Sequence, residues 1–150
     1  MKLIALASKS NTGKTSTLKI VYEFLEKESN LIRNESKWVV ERKGIFKYNR
    51  KIICITTRRD NEKCLKEDWK WFKRNAKKVD VVICPCHTKG NTMRFIKNKA
   101  KNKCEDAYIF QKSYLANYQK ETDEYDKHKE VCDKLNKQQA DHIIELIKML

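Results

Sequence analysis

The chain has 150 residues, with 34 Lys and Arg against 20 Asp and Glu and a formal net charge of +14. Hydrophobic residues make up 40%, enough for a buried core at this length and too many for a disordered chain, while one proline and three glycines exclude a collagenous or low-complexity sequence. The positive charge fits an anionic partner such as nucleic acid, and equally a lysine-coated solvated surface.

Residues 1–7 (MKLIALA) read as a buried strand, short and continuously apolar. That run and the one at 79–84 are far below the ~20 residues that cross a bilayer. Ser8-Lys9-Ser10-Asn11 breaks the first run before it reaches the length of a signal-peptide core, and no cleavage site follows. A cytoplasmic protein with no membrane partner is expected. Residues 8–15 (SKSNTGKT) form a polar loop, and from 14 to 27 Leu18, Val21, Tyr22 and Leu25 fall at helical spacing. Residues 38–40, 45–48 and 51–56 read as hairpin-like strands, with Asn49-Arg50 as a turn and the last strand buried. Asp60-Asn61-Glu62 opens a second helix that carries Leu65, Trp69, Phe72 and Ala76 on one face, so Trp69 and Phe72 belong to the core and Trp71 lies off it. A buried strand at 79–84 stops at Pro85. A loop through Cys86, His87, Thr88, Lys89 and Gly90 leads into a basic helix at 91–103, a strand at 107–110, and one or two helices over 122–150.

The chain has no internal repeat, linker or composition break, so 1–150 reads as a single domain. The alternation predicts an α/β three-layer sandwich with a mostly parallel sheet, to which a β-hairpin is added after the first helix. Ligands in such folds sit at the carboxyl ends of the strands. That directs attention to the loops at 8–15, 57–60 and 85–91. The six cysteines read as reduced thiols. Cys84-Pro85-Cys86-His87 has one residue between its cysteines and no second pair, so buried strand cysteines are expected there rather than a zinc knuckle.

The sharpest motif is Ser8-Lys9-Ser10-Asn11-Thr12-Gly13-Lys14-Thr15, followed by Ser16, between the first strand and the first helix. The phosphate-binding loop pattern is G-x-x-x-x-G-K-[ST]. Successive backbone N–H groups make an anion nest, and the helix start adds its positive dipole end. Lys14 supplies a cation for the outer phosphates, and the Thr15 hydroxyl a ligand for Mg²⁺. Ser8 stands where the pattern has its first glycine; a positive φ there would cost a serine about 1–2 kcal/mol.

On this motif the chain resembles the P-loop NTPase superfamily. More closely, it is similar to a compact group of bacterial and phage P-loop proteins that share the opening at 1–15, a strand ending near Asp60-Asn61-Glu62, and a segment closing on T-x-G at 82–90. The resemblance implies ATP or GTP binding with Mg²⁺ and an NTPase or small-kinase core. The segment 9–15 also resembles the deviant phosphate loop of chromosome-partitioning ATPases, with Lys9 in the place of that family's signature lysine. This implies a DNA-binding ATPase as the alternative. A non-enzymatic nucleic-acid or partner-binding module with a degenerate loop is a third reading.

Asp60 has two readings: a helix cap, or the carboxylate that holds the Mg²⁺ shell. Arg58 and Arg59 flank it as candidate phosphate clamps. His87, Lys89 and Arg94 are candidate catalytic or substrate-binding groups on the third loop and the helix it opens. From 89 to 103 every charge is positive, which suits a lid over phosphates, a nucleic-acid backbone, or simply solvent. Tyr114 and Tyr118 are candidate base contacts by position.

Overall fold

The computed structural model describes residues 1–9, 12–36, 41–58, 61–112 and 123–150, the side chains of 123–128 apart. Its elements in chain order are β1 (Lys2–Ala7), α1 (Lys14–Glu28), β2 (Asn30–Ser36), β3 (Arg42–Tyr48), β4 (Lys51–Thr56), α2 (Glu62–Asn75), β5 (Val81–Cys86), α3 (Asn91–Lys103), β6 (Asp106–Gln111) and α4 (Asp123–Met149). All six strands join one sheet in the order β2-β3-β4-β5-β1-β6. β4, β5, β1 and β6 are parallel; β3 pairs antiparallel with β4, and the edge strand β2 pairs antiparallel with β3 and so runs in the direction of the parallel four.

The apolar runs read as strands are buried on both faces because helices cover both. On one side Ile4, Leu6, Ile55 and Ile83 pack with Leu18 and Val21 of α1 and Ile143 and Ile147 of α4. On the other, Leu3, Ala5, Cys54 and Val82 pack with Leu65, Trp69 and Phe72 of α2 and Ile96 of α3. The topology requires this division. The chain leaves β1 toward β4 in one direction, then runs β4, β5, β6 in the other, so crossovers of one hand put α1 opposite α2 and α3. Cys54, Cys84 and Cys86 lie in the second core and are not disulfide-bonded. Among the described residues no helix is long and apolar enough to cross a membrane.

The β3–β4 hairpin turns at Asn49 and Arg50, with φ of 45° and 65°, the pair of positive values that suits the twist of adjoining strands. Gly44 in β3 makes room: a Cβ there would stand 2.5 Å from the Phe46 ring, which meets Tyr22 edge-to-face at 5.2 Å. The remaining glycines, Gly13 and Gly90, cap α1 and α3 with φ of 81° and 83°. β2 is exposed along its whole length and is not among the strands expected from sequence. The strand expected at 38–40 lies outside the described residues.

Candidate functional site

Parallel pairing brings the carboxyl ends of β4, β5, β1 and β6 to one edge of the sheet. β5 and β1 are neighbours, and their following helices α3 and α1 lie on opposite faces. The loops after these two strands therefore border a crevice at the reversal point of the sheet. Backbone bonds close the base of this edge: Ser8 N–H donates to the Cys86 carbonyl at 3.2 Å, and Lys112 N–H to the Ala7 carbonyl at 2.8 Å.

The loop between β1 and α1 folds back on its own lysine. Lys14 is buried at the first position of α1, and its Nζ donates to the carbonyls of Ser8 at 3.1 Å and Lys9 at 2.6 Å and to Ser8 Oγ at 3.1 Å. Thr12 Oγ1 donates to the Lys9 carbonyl at 2.8 Å and also bonds Ser8 Oγ. Ser8, the departure from the glycine pattern, is buried and does not have a positive φ. The strain its position raised is absent, and its hydroxyl joins the loop network. Gly13 takes the left-handed conformation that opens α1, and its carbonyl accepts the Thr17 N–H at 2.9 Å. Thr15 is half-buried; Ser16 and Lys9 are exposed. Ser10 and Asn11 lie outside the described residues.

Behind the loop is a polar pair that the sequence did not announce. Asn136 of α4 and Lys112, the residue after β6, are both buried. Asn136 Oδ1 accepts from Lys112 Nζ at 2.6 Å and from Thr17 Oγ1 at 3.3 Å, and it stands 2.6 Å from where a Cβ on Gly13 would be. Burial pulls the Lys112 ammonium below its ordinary pKa, and the Lys14 charge adds to this against the opposing influence of Cys132. Lys112 sits at the carboxyl end of a parallel strand, the edge the fold class singles out, and Asn136 interrupts the apolar stripe of α4; these were the available signals.

Arg58 is committed elsewhere. Its Nη1 donates to Asp68 at 2.7 Å and its Nη2 pairs with Glu67 at 3.6 Å. Burial opposes the Arg58 charge, yet these carboxylates outweigh it and raise the pKa. Asp68 is itself buried, accepting from Thr56 Oγ1 at 2.7 Å with Lys43 Nζ at 3.7 Å. It was not expected from sequence, and it ties the ends of β3 and β4 to α2. The cap of α2 is Asn61, whose side chain accepts the Cys64 N–H at 2.8 Å. The cap reading of Asp60 is thus corrected by one residue, the carbonyl-bearing Asn side chain serving as well as a carboxylate. Arg59, Asp60, Tyr114 and Tyr118 lie outside the described residues.

On the third loop, His87 N–H donates to Thr92 Oγ1 at 3.0 Å, which buries the threonine in the first turn of α3. Arg94 bonds the Asn91 side chain and, like Lys89, is exposed. Beside the β1–α1 loop, α1 and α4 frame a cleft of about 490 Å³ lined by Thr15, Ser16, Ile20, Asp133 and Asn136 among others. Among the described residues no group of three His, Cys, Asp or Glu side chains could hold a metal ion. No protein-family model matches the chain, and no curated protein or solved structure matches it.

Proposed function

We propose that the chain is a P-loop-type protein that binds ATP or GTP at residues 8–15 with Mg²⁺, and hydrolyses the nucleotide or transfers its γ-phosphate. The observation that carries this reading is Lys14. Its ammonium opens a helix of 15 residues and lies against the carbonyls of the loop before it. A phosphate entering the loop offers that ammonium charged acceptors in place of neutral ones, a stronger class of hydrogen bond. The same phosphate meets the positive end of the α1 dipole. The Gly13 backbone permits close approach, and the adjoining cleft of about 490 Å³ is within the size range of small-ligand sites.

Thr15 fits a magnesium ligand by residue type and by position in the first turn. Asp60, the other expected contributor to the magnesium shell, lies outside the described residues; phosphate oxygens and water would supply much of the remaining coordination, as they commonly do for Mg²⁺. When bound, it would neutralise charge developing on the outer phosphates. Lys112 and Asn136 would hold Gly13 and the start of α1 in the binding geometry from behind.

Thermal unfolding across a panel of nucleotides with Mg²⁺ tests the reading. A ligand that binds only the native state at about 100 times its Kd adds about 2.7 kcal/mol of stability. ATP or GTP is expected to raise the midpoint of the parent and leave Lys14→Ala unmoved. A panel in which no nucleotide shifts the parent would overturn the reading.

A further inference from the structure

The chain's positive charge is divided unevenly between the two helical layers. α2 and α3 together carry ten Lys and Arg against three Asp and Glu; α1 and α4 carry eight against ten. Each of the three carboxylates on α2 already has a cation: Glu62 pairs with Lys66 at 2.6 Å, Glu67 with Arg58 at 3.6 Å, and Asp68 with Arg58 at 2.7 Å. α3 has no carboxylate. The lysines between the two helices therefore crowd one another. Lys99 is the clearest case: burial, then the charges of Lys73 and Lys103, lower its pKa. Its ammonium rests 5.4 Å from the Trp69 ring and 5.1 Å from the Phe95 ring.

Beside this group opens a cleft of about 360 Å³, with Trp69, Phe72, Val79 and Val82 in its wall and Lys73 and Lys77 beside them. An apolar slot with cations at its border fits a flat apolar group that carries a phosphate. A nucleotide unit of a single strand presents both. In a duplex the base faces are stacked away, and only backbone and groove edges are offered. The cleft is bordered by the start of β5 and the end of α2. It therefore lies at the opposite edge of the sheet from the β1–α1 loop and is independent of the nucleotide reading.

We propose that the α2–α3 layer binds single-stranded nucleic acid, with backbone phosphates on Lys73, Lys77, Lys99 and Lys103 and one base in the cleft beside Trp69 and Phe72. An acidic membrane surface would satisfy the lysines and leave the slot without a role, which favours the strand. The anionic backbone would relieve the crowding of Lys99 by Lys73 and Lys103, and affinity would fall with salt as the counterions of the four lysines are exchanged.

Fluorescence anisotropy with labelled oligothymidylate of about 20 nucleotides tests this. With four phosphates engaged, log K against log salt is expected to have a slope of about −3. Lys73, Lys77 and Lys103 are exposed, so their joint reversal (Lys73→Glu, Lys77→Glu, Lys103→Glu) leaves the core intact; it is expected to weaken binding at least about tenfold. A control that reverses exposed Lys27, Lys47 and Lys134 outside this layer is expected to stay within about twofold, as is Lys14→Ala. Four results would each overturn the proposal: no binding at low salt, equal loss in the control, an abasic strand or a duplex bound as tightly as the oligothymidylate, or binding to phosphatidylserine vesicles alone.

Discussion

Replacing Gly13 by Ala loads the β1–α1 loop in two ways. An L-residue at a φ of 81° carries a steric cost of about 1–2 kcal/mol. The new Cβ would also lie 2.6 Å from Asn136 Oδ1, so the asparagine must move. It is held by a charged bond from Lys112 at 2.6 Å and a longer neutral one from Thr17 at 3.3 Å. A charged bond contributes about 1.5–3 kcal/mol and a neutral one about 0.5–1.5. With those bonds partly kept, the substitution is expected to cost about 2–4 kcal/mol in urea unfolding. A double-mutant cycle separates the parts. In an Asn136→Ala background the clash is gone, so Gly13→Ala is expected to cost only the backbone strain of about 1–2 kcal/mol. Equal costs in the two backgrounds, or a cost in the parent below about 1 kcal/mol, would refute the argument that Asn136 locks the loop.

Three further outcomes follow from the same geometry. Arg50→Gly relieves a positive φ of 65° in the hairpin turn at the expense of a more flexible unfolded chain, and is expected to gain about 0.5–1 kcal/mol in thermal or urea unfolding. Lys112 has a folded pKa below its ordinary 10.5, so the unfolded state binds more protons between the two values and the parent's stability rises with pH across that window. Lys112→Met removes this, and the parent is expected to gain on the variant as pH climbs toward 10.5; parallel profiles would contradict the burial of a charged lysine. Burial pushes the Cys54 thiol up to about 12, with Asp80 adding to it, and holds Cys84 well above its ordinary value. A thiol reagent on the native protein is expected to reach at most the three half-buried cysteines, Cys64, Cys104 and Cys132, and all six after unfolding.

The parts legible in the sequence are those in which short-range pattern and physical cause coincide. β1 is a continuous apolar run because helices cover both of its faces. The change to helical spacing after Gly13-Lys14-Thr15 marks α1, and Asn49-Arg50 marks a turn whose backbone is in fact left-handed at both residues. β2 was not legible: its residues are exposed and its strand pairing is to β3 alone, with an irregularity between Leu31 and Arg33 and an ion pair from Glu35 to Lys43 at 2.9 Å, so its side chains carry no alternation. Lys112 and Asn136 are 24 residues apart. Nothing local says that a lysine after a strand will be buried, and only the fold brings the two behind Gly13. Asp68 was hidden for the same reason, its partners coming from β3, β4 and the loop after β4. The basic stretches around 70–78 and 97–103 had no joint meaning as sequence. Their meeting in one helical layer, away from the β1–α1 loop, is a consequence of topology.

The most direct test of the nucleotide reading is titration calorimetry of the intact chain with ATP and with GTP in the presence of Mg²⁺, alongside Lys14→Ala and Thr15→Ala. The account predicts that the parent binds at least one of them with a Kd of about 1–100 μM, or about −8 to −5 kcal/mol. It also predicts that Lys14→Ala abolishes the heat, and that Thr15→Ala loses the part of the affinity that depends on Mg²⁺. Binding of equal strength in the parent and Lys14→Ala, or no heat with either nucleotide, would contradict it.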